Sequence, residues 1–524
     1  MLEATMSLLT SLFIIAKKRI GSRFKLSNFI LWVSLLNFLL FHFPFFKFVF
    51  NNIDYKTLNG SLLIVSLLIM VVVANYLVFF ILFFLSRMIG RIVLVLFFVI
   101  NAIAVYFINT YGVIIDGSMI GNILNTNYEE SSSFFSIKLL LYILLLGVIP
   151  SVFIIKAKIA QVSTKFFLVT SSLSFLLIAI FVFINSVNWL WIDKNAKTLG
   201  GLVMPWSYTV NSALFYIHKQ KNNAKEILLP NATVLDDKKA IVVLVIGESA
   251  RRQNFSLYGY NKNTNPLLSQ TKNLYKFNAT SCATYTTAGV KCILEHKNTD
   301  ELYEILPNYL YRNNVDVIWR TTNWGEPPVN VGSYQNKEDL AVGLKGDEAI
   351  YDEVLLNGLK KQILSSNKNK ILVVLHTSTS HGPTYSKKYP TRFEVFKPVC
   401  NSVELGSCSQ DELINAYDNT IVYTDYILSN VIKELNQLKD YNSTMIFVSD
   451  HGESLGEKNL YMHGVPISIA PKEQYEIPFI VWSSDTSKQV KAHRTVCQNH
   501  VFHSVLNFLG VQSPIYNEEM NIFK

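Results

Sequence analysis

Long apolar runs fill the first third of the chain and predict a bundle of membrane-spanning helices. Each run approaches or exceeds the roughly 20 residues that a helix needs to cross about 30 Å of hydrocarbon. The cores of the five predicted spans are residues 29–46, 61–85, 92–111, 139–155 and 166–187. We therefore expect an α-helical transmembrane domain over residues 1–190.

A shorter apolar run precedes these spans. Residues 7–16 are too few to cross a membrane and are followed by Lys17-Lys18-Arg19, which is typical of an interfacial helix. The small-residue cleavage site of a signal peptide is missing, so we expect this helix to be retained.

Lysines and arginines concentrate in alternate loops and predict the orientation of the spans. The basic loops lie before the first span, between the second and third, and between the fourth and fifth. They contain Lys17, Lys18, Arg19, Arg23 and Lys25, then Arg87 and Arg91, then Lys156, Lys158 and Lys165. Because such loops stay in the cytoplasm, we expect the N-terminus there. Five spans would deliver everything after residue 187 to the opposite side.

The hydrophobic pattern changes in the second half, where short continuous runs predict buried strands. The runs are residues 240–246, 371–375, 445–448 and 477–482. Apolar runs without polar alternation are typical of strands buried on both faces of a parallel sheet. Helix-like stretches lie between them, at 348–362 and 411–438 for example, and predict a layered α/β domain. We place this domain at 236–524 and a bridging segment at 191–235.

Composition indicates a membrane protein and argues against nucleic acid as its partner. Of the 524 residues, 50% are hydrophobic and 16% are charged, against about 25% charged in average soluble chains. Mean hydropathy is +0.26. These values exclude a disordered or fibrous protein. The formal net charge of +9 is at least partly the orientation signal, so nucleic acid is not an expected partner.

All five cysteines lie in the second half of the chain, which agrees with an oxidising compartment. Cys282 and Cys292 are close enough to close one short loop, Cys400 and Cys408 to close another, and Cys497 is left over. The alternative is that all five are reduced and buried, which would put the predicted orientation in doubt.

Three predicted strands end in groups that can bind metal or transfer protons. Glu248 follows the first strand, His376 follows the second with His381 nearby, and Asp450-His451 follow the third. Ligands of open α/β sheets bind beyond the carboxyl ends of the strands. One strand-end carboxylate is more often a turn residue, but three such ends favour a site. Glu248, Asp450 and His451 suit zinc, which accepts carboxylate and imidazole ligands.

A hydroxyl-rich segment and two histidine loops supply further candidates. Ser281-Cys282-Ala283-Thr284-Tyr285-Thr286-Thr287 offers a nucleophile, since a hydroxyl on zinc loses its proton near neutral pH. Read alone, it is an ordinary capped turn, and spacing does not choose between Thr284, Thr286 and Thr287. His381-Gly382-Pro383 and His463-Gly464 suit loops that present imidazole to an anion, although a histidine beside glycine is commonly a solvated loop residue.

A set of ordered motifs resembles one family. The motifs are Gly247-Glu248-Ser249-Ala250-Arg251-Arg252 continuing to Ser256-Leu257-Tyr258-Gly259-Tyr260 and Thr264-Asn265-Pro266, Ser281-Cys282-Ala283-Thr284 with Cys292, His381-Gly382-Pro383-Thr384-Tyr385, Ser449-Asp450-His451-Gly452-Glu453-Ser454-Leu455-Gly456-Glu457, and Tyr461-Met462-His463-Gly464. Together they resemble the membrane-bound phosphoethanolamine transferases, which include lipid A-modifying and colistin-resistance enzymes of Gram-negative bacteria. These belong to the alkaline phosphatase and sulfatase superfamily. The resemblance implies five spans and an α/β/α sandwich catalytic domain.

The same resemblance implies a metal site and a nucleophile. It assigns zinc to Glu248, Thr284, Asp450 and His451, with Thr284 as the nucleophile. His381 and His463 match the histidines that contact the phosphoryl group or a second zinc in the family.

Further positions match residues that bind phosphoethanolamine in the family. Asn122, Thr126 and Glu130 lie in the loop after the third span, and Asn323 lies in the α/β domain. A carboxylate such as Glu130 is a suitable partner for the ammonium group of ethanolamine. The resemblance also implies two disulfides, Cys282–Cys292 and Cys400–Cys408, and leaves Cys497 without a partner.

The activity that the resemblance implies is a two-step transfer. Phosphoethanolamine would pass from phosphatidylethanolamine to a threonine and then to an envelope acceptor, lipid A or another glycan or protein. The enzyme would be a monomer of the bacterial inner membrane with its catalytic domain in the periplasm. The alternatives are a phosphoglycerol transferase or sulfatase-like hydrolase of the same superfamily, and a membrane sensor or adhesin that has the fold without catalysis.

Two departures from the family pattern bear on this interpretation. Ala283 stands where many relatives have glycine, which changes the turn before the predicted nucleophile. Glu326-Pro327-Pro328 stand where many relatives have a lysine and a cysteine pair. The second departure bears on recognition of the donor phosphate or the acceptor.

Overall fold

The computed structural model describes residues 23–125, 128–221, 226–484, 490–491 and 495–524. The interfacial helix predicted at residues 7–16 lies outside these ranges. The chain divides into two compact units. The first contains the chain up to Ile120 together with Phe135–Tyr216, and the second contains Gly121–Phe134 together with Ile217–Lys524.

The first unit is helical. In chain order, the helices up to Lys221 are Leu26–Phe41, Phe43–Asn52, Leu58–Leu85, Arg87–Tyr111, Gly117–Asn125, Tyr128–Ser133, Ile137–Lys156, Thr164–Ile184, Trp189–Leu202 and Trp206–Lys221. Of these, Gly117–Asn125 and Trp206–Lys221 continue into the second unit, and Tyr128–Ser133 belongs wholly to the second unit. Within the described residues, four helices are long and apolar enough to cross a membrane, or five if a bent pair counts as one span. The last two helices occupy the segment predicted to bridge the domains.

The first predicted span is not one straight helix. It consists of Leu26–Phe41 and Phe43–Asn52, which are bent by 64°. The break lies at His42, whose backbone leaves the helical region, and Pro44 stands in the first turn of the second helix. Proline lacks the N–H that would continue the hydrogen-bond ladder, so the prediction of a single span over 29–46 is corrected to a bent pair.

A network of polar side chains is buried inside the helical unit. Asn101 Nδ2 donates to Asn37 Oδ1 at 2.8 Å, and Tyr208 OH donates to Asn101 Oδ1 at 2.8 Å. Asn37 Nδ2 in turn donates to the Met204 carbonyl at 3.2 Å, and the Met204 N–H donates to His42 Nε2 at 3.2 Å. Paired polar groups of this kind join helices in an apolar environment. The network therefore ties the turn at Met204 to the first and third predicted spans.

The second unit is built on an eight-stranded sheet. Its strands are β1 Ala240–Gly247, β2 Leu274–Thr280, β3 Asp316–Thr321, β4 Ser333–Gln335, β5 Lys370–His376, β6 Asn442–Ser449, β7 Glu476–Ser483 and β8 Thr495–Cys497. Their order across the sheet is β8-β2-β7-β6-β1-β5-β3-β4. The four predicted runs all form strands. Pattern alone does not predict β2, β3, β4 and β8, which are short or carry polar residues.

Strand β7 is antiparallel, although its apolar run is typical of a strand in a parallel sheet. It pairs antiparallel with both β2 and β6, whereas the remaining neighbours pair in parallel. β7 is buried along nearly its whole length. A strand buried on both faces gives the same apolar run in either direction, so the sequence pattern could not reveal the reversal.

Helices cover both faces of the sheet. Thr286–Leu294, Leu306–Arg312 and His500–Leu509 contribute to one apolar cluster with alternate residues of β1, such as Val242 and Leu244. The long helix Gln410–Asn436 packs against β6 and contributes nothing to that cluster, so it lies on the opposite face. This helix matches the predicted stretch 411–438.

The prediction of one continuous helix over residues 348–362 is wrong. The structure has three short helical segments there, Asp347–Ile350, Asp352–Leu356 and Leu359–Leu364. Gly358 separates the last two with a left-handed backbone at φ +63°, a conformation that glycine adopts readily. A single glycine in a helical pattern was the signal for this break.

Candidate metal and phosphoryl-transfer site

Four neighbouring parallel strands end at the same edge of the sheet. In spatial order they are β6, β1, β5 and β3. Asp450 and His451 follow β6, Glu248 follows β1, β5 ends at His376, and Asn323 follows β3. The predicted meeting of the first three strand ends is therefore present, and β3 adds a fourth polar group.

Ser249 links the two carboxylates of this edge. Its backbone N–H donates to Asp450 Oδ1 at 3.0 Å, and its hydroxyl donates to Glu248 Oε1 at 2.6 Å. Ser249 has a left-handed backbone, φ +52°, which is unfavourable for a residue with a side chain. The contacts to both carboxylates hold it in that conformation and fix one oxygen of each.

His451 points one ring nitrogen at the same carboxylates. Its Nδ1 donates to the Gly452 carbonyl at 2.9 Å, so the unprotonated nitrogen of the neutral ring is Nε2. Nε2 lies 3.2 Å from Asp450 Oδ2 and 3.6 Å from Glu248 Oε1. Burial, together with neighbouring His463, lowers the pKa of His451 to about 4. At neutral pH, three electron-rich atoms therefore face one another.

This arrangement fits a bound cation. Asp450 Oδ2 is buried and has no hydrogen-bond partner within the described chain. Burial, with the adjacent Glu248 carboxylate, raises the pKa of Asp450, because two close carboxylates cannot both ionise easily without a compensating charge. Glu248, His451 and His463 each offer one ligand atom, and these three atoms lie within 4.8 Å of one another. Carboxylate oxygens with imidazole nitrogens are a zinc donor set.

Thr284 is hydrogen-bonded to the loop that carries His463. Its Oγ1 donates to the Val465 carbonyl at 2.6 Å, and its own carbonyl accepts from the Gly464 N–H at 2.7 Å. The side chain is buried. These two contacts attach Thr284 to the residues that directly follow His463. The remaining members of the zinc set implied by the resemblance, Glu248, Asp450 and His451, come together as described above.

Thr286, in the same segment, contacts the cluster through its hydroxyl. Its Oγ1 lies 3.3 Å from His451 Nε2, and it begins the helix Thr286–Leu294. Gly289 lets this helix approach the strand end, because a Cβ there would lie 2.2 Å from the Asp450 carbonyl oxygen. The helix N-terminus thus adjoins the carboxylates, and such ends favour anions.

The two histidines from separate loops lie together. The rings of His381 and His463 have centroids 5.5 Å apart, and those of His451 and His463 are 4.2 Å apart. His381 Nδ1 donates to the Gly382 carbonyl at 2.7 Å. The structure thus brings both predicted histidine loops to the cluster.

Glu453 is a member of the cluster that sequence reasoning did not single out. Its Oε2 lies 3.1 Å from His463 Nδ1, and the side chain is fully buried. Burial raises its pKa to about 8, although His451 and His381 oppose the shift. The available signal was its position two residues after His451 within one motif.

His376 lies apart from this cluster. It is fully buried, and its Nδ1 is 3.4 Å from Glu326 Oε2. Glu326 Oε1 accepts from Tyr334 OH at 2.6 Å. The glutamate that departs from the family pattern is thus turned inward onto the histidine at the end of β5.

Asn323 contacts the cluster directly. Its Nδ2 donates to Glu248 Oε2 at 2.7 Å and to the Thr377 carbonyl at 2.9 Å. Sequence reasoning matched it to head-group binding, whereas the structure places its amide on a carboxylate of the cluster. The contact orients that carboxylate.

Of the other head-group candidates, Asn122 lies beside Gly464. A Cβ built on Gly464 would lie 3.3 Å from Asn122 Nδ2, so the absence of a side chain at Gly464 leaves room for the amide. Thr126 is outside the described residues. Glu130 belongs to the helix Tyr128–Ser133, but its side chain is outside the description.

Both predicted disulfides are present. Cys282–Cys292 joins the start of the Thr284 segment to the helix that follows, and Cys400–Cys408 closes a loop before Gln410–Asn436. Cys497, at the end of β8, is a free thiol whose sulfur lies 3.4 Å from His500 Nδ1. The first disulfide holds the Thr284 segment against the helix that packs on Asp450.

Comparisons with known proteins agree with both units. Residues 240–511 match the sulfatase family, and residues 71–220 match the family described as phosphoethanolamine transferase EptA/EptB. The chain is 42% identical over 504 residues to phosphoethanolamine transferase EptA of Helicobacter pylori, covering 94% of this chain and 95% of that protein. It is 30% identical over 421 residues to phosphatidylethanolamine transferase Mcr-1 of Escherichia coli, covering 75% and 78%.

One solved structure resembles nearly the whole chain. It is the integral membrane protein lipooligosaccharide phosphoethanolamine transferase A of Neisseria meningitidis, with a TM-score of 0.87 and 25% sequence identity. The match covers 96% of this chain and 99% of that one. The likeness therefore includes the helical unit as well as the α/β unit.

Proposed function

Because the chain belongs to the EptA/EptB family of phosphoethanolamine transferases, we propose that it transfers phosphoethanolamine from phosphatidylethanolamine to lipid A through a covalent threonine intermediate. The observation that carries the proposal is the buried Asp450 Oδ2, which lacks a hydrogen-bond partner in the described chain and faces His451 Nε2 beside Glu248. Such an incomplete polar cluster suits a bound cation, and the Thr284 segment borders it.

Glu248, Asp450 and His451 would hold one zinc ion, and His463 is available as a further ligand or for a second ion. When bound, zinc would supply Lewis acidity that stabilises negative charge on phosphoryl oxygens and lowers the pKa of a nearby hydroxyl. Asn323 would keep Glu248 oriented, as outer partners commonly do for metal ligands.

In the first half-reaction, Thr284 Oγ1 forms a bond to phosphorus and the bond from phosphorus to the diacylglycerol oxygen breaks. The proton of Thr284 leaves, and the departing oxygen gains a proton. In the second half-reaction, an acceptor oxygen of lipid A forms a bond to the same phosphorus, the bond from phosphorus to Thr284 Oγ1 breaks, and the proton of the acceptor passes to Thr284. His381 and His463 would stabilise phosphoryl charge or transfer these protons.

The head group needs a partner for its ammonium ion. We assign Asn122, Thr126 and Glu130 to this role together with Asn323, and Glu130 supplies the negative charge. The names of two relatives support phosphatidylethanolamine as the donor and lipid A as the acceptor. The E. coli relative is a phosphatidylethanolamine transferase, and the N. meningitidis protein acts on lipooligosaccharide.

We place the protein in the bacterial inner membrane, with its N-terminus in the cytoplasm and the α/β unit in the periplasm. Alternate basic loops and two disulfides in the α/β unit support this orientation. The spans would confine the enzyme to the membrane in which both lipids are found.

A donor comparison tests the proposal. The full chain, loaded with zinc in detergent, would be given lipid A with phosphatidylethanolamine, with phosphatidylglycerol, or with an aryl sulfate ester. We expect phosphoethanolamine-modified lipid A only from the first donor. Transfer from phosphatidylglycerol would indicate a phosphoglycerol transferase, sulfate release would indicate a sulfatase, and inactivity with all three would contradict catalysis.

A further inference from the structure

The carboxylate of Asp352 joins two loops that supply the site. Thr322 Oγ1 donates to Asp352 Oδ1 at 2.5 Å. From the other loop, the Ser378 N–H donates to Oδ2 at 3.1 Å, the Ser378 hydroxyl donates to Oδ1 at 3.2 Å, and the Thr379 hydroxyl makes a short bond to Oδ2. Asp352 is 2% exposed, so these bonds form away from water.

Each of these loops leads directly to a group of the candidate site. Thr322 precedes Asn323, whose amide donates to Glu248 Oε2 and also to the Thr377 carbonyl. Ser378 and Thr379 precede His381, whose N–H donates to the Ser378 carbonyl at 3.3 Å. The loops are therefore linked through Asn323 and through Asp352, in addition to the Thr322 N–H that donates to the His376 carbonyl at 3.0 Å where the strands end.

Asp352 is itself held on a fixed support. It begins the short helical segment Asp352–Leu356, and Arg320 donates to the Leu355 and Asn357 carbonyls at 2.8 Å each. The next residue, Glu353, donates its N–H to Tyr423 OH at 3.0 Å. Arg320 belongs to β3, the strand that leads into Thr322. The segment is therefore attached to the sheet and to the helix Gln410–Asn436.

We propose that Asp352 is a positioning residue for the transfer reaction. Its effect on that reaction rests on the proposed function, whereas its contacts with the two loops do not. Its carboxylate sets the distance between the Asn323 loop and the His381 loop. It thereby keeps the Asn323 amide on Glu248 and His381 beside His463. Both carboxylate oxygens of Asp352 accept hydrogen bonds from the two loops, Oδ1 from Thr322 and Ser378 and Oδ2 from Ser378 and Thr379, which suits a group that joins them.

The test is a double-mutant cycle of Asp352→Asn with Asn323→Ala. Asparagine keeps the shape of the side chain and replaces one acceptor oxygen with an amide that cannot accept a hydrogen bond. We expect Asp352→Asn to lower kcat/KM and zinc affinity by about 10- to 100-fold, the usual effect of losing an outer partner of a metal site. If Asp352 acts partly through Asn323, adding Asp352→Asn to the Asn323→Ala variant lowers zinc affinity by only about threefold or less.

Asp425→Asn is the matched control. Asp425 is another fully buried aspartate of the same unit, and it accepts the N–H groups of Leu267 and Leu268 at 2.8 Å and 3.0 Å. We expect this variant to lower thermal stability while its zinc affinity stays at the wild-type value. Equal zinc losses in the two aspartate variants would contradict a positioning role.

Two milder variants keep the proposal testable if Asp352→Asn does not fold. Thr322→Val and Thr379→Val each remove one hydroxyl donor and keep the carboxylate. Loss of activity in Thr322→Val should vanish in the Asn323→Ala background, whereas the loss in Thr379→Val should persist because it acts on the His381 loop. Unchanged activity in both variants would overturn the proposal.

Hydrogen–deuterium exchange separates this inference from the proposed function. In Asp352→Asn we expect faster exchange at residues 322–325 and 378–381, and in Asp425→Asn only near Leu267. Faster exchange at both loops in a protein that transfers nothing would support the positioning role and refute the proposed reaction. Unchanged exchange at both loops in a protein that does transfer would refute the positioning role alone.

Discussion

Two buried polar networks in this molecule use similar side chains for different purposes. In the helical unit, Asn37, Asn101 and Tyr208 satisfy one another, and His42 Nε2 accepts from the Met204 N–H. At the carboxyl edge of the sheet, the described chain offers Asp450 Oδ2 and Glu453 Oε1 no hydrogen-bond partner although both are buried. The first network is complete and stabilises the fold. The second is incomplete and fits a cation.

The difference follows from what each surrounding can tolerate. A buried polar group without a partner costs about 1–3 kcal/mol, and a buried charge costs more. In the helical unit, neutral amides and a phenol can pair at low cost. At the sheet edge, carboxyl groups lie beside imidazoles that burial keeps neutral, and a bound cation would compensate the negative charge of the carboxylates.

The largest expected effect comes from removing the proposed nucleophile. Thr284→Ala should lower transfer by at least about 1000-fold, as expected for loss of a covalent catalyst, while thermal unfolding stays near wild type. Thr286→Ala is the matched control, because Thr286 is the hydroxyl beside His451 Nε2. A larger loss in Thr286→Ala than in Thr284→Ala would move the nucleophile to Thr286.

The next largest effect is expected from removing one carboxylate of the incomplete network. Asp450→Asn should lower zinc affinity by more than the roughly 100-fold that loss of an outer partner gives, measured by competition with a chelator. In the metal-free protein the same variant should unfold at the wild-type temperature or higher, since it removes the carboxylate next to Glu248. Clear destabilisation without metal would mean that Asp450 is structural.

The pH dependence of stability tests the same network without zinc. Burial raises the pKa of Glu453 to about 8, so the folded state holds its proton at pH values where the unfolded state does not. Its stabilising contribution is therefore present below about pH 4.5 and is lost as pH rises toward 8, by up to about 1.4 kcal/mol per pH unit. Glu453→Gln should flatten this slope in thermal unfolding of the metal-free chain. An unchanged slope would show that Glu453 titrates normally.

The smallest effect is expected from removing one side chain of the complete network in the helical unit. Asn101→Ala removes the partner of both Tyr208 and Asn37 and should destabilise the protein by about 1 kcal/mol. Zinc affinity should stay at the wild-type value, because the network joins helices of the other unit. A lower zinc affinity in this variant would show that the two networks are coupled and would break the comparison.

Parts of this site could be predicted because they depend on strand ends. Glu248, Asp450 and His451 each follow an apolar run, and parallel strands bring their carboxyl ends together. Glu453 and Asp352 could not be predicted in this way, since each acts through residues distant in sequence, such as His463 for Glu453 and Ser378 for Asp352. The sequence around Asp352 is that of ordinary polar residues, and the signal for Glu453 was its position two residues after His451.

In the fold, too, some features could be predicted from the sequence and others could not. Five apolar runs and four buried strands follow from composition and pattern alone. The 64° bend in the first span depends on Pro44 at a helix start, and the reversal of β7 depends on neighbours far along the chain. The choice between Thr284 and Thr286 likewise depends on where each hydroxyl points, which spacing in the chain does not determine.

The most direct test of the central claim is the mass of the protein after incubation with phosphatidylethanolamine. The zinc-loaded full chain would be measured intact, digested, and fragmented to locate any added group. We predict a phosphoethanolamine mass on Thr284, absent from Thr284→Ala. An adduct on Thr286, an adduct that survives in Thr284→Ala, or an unmodified protein would contradict the account.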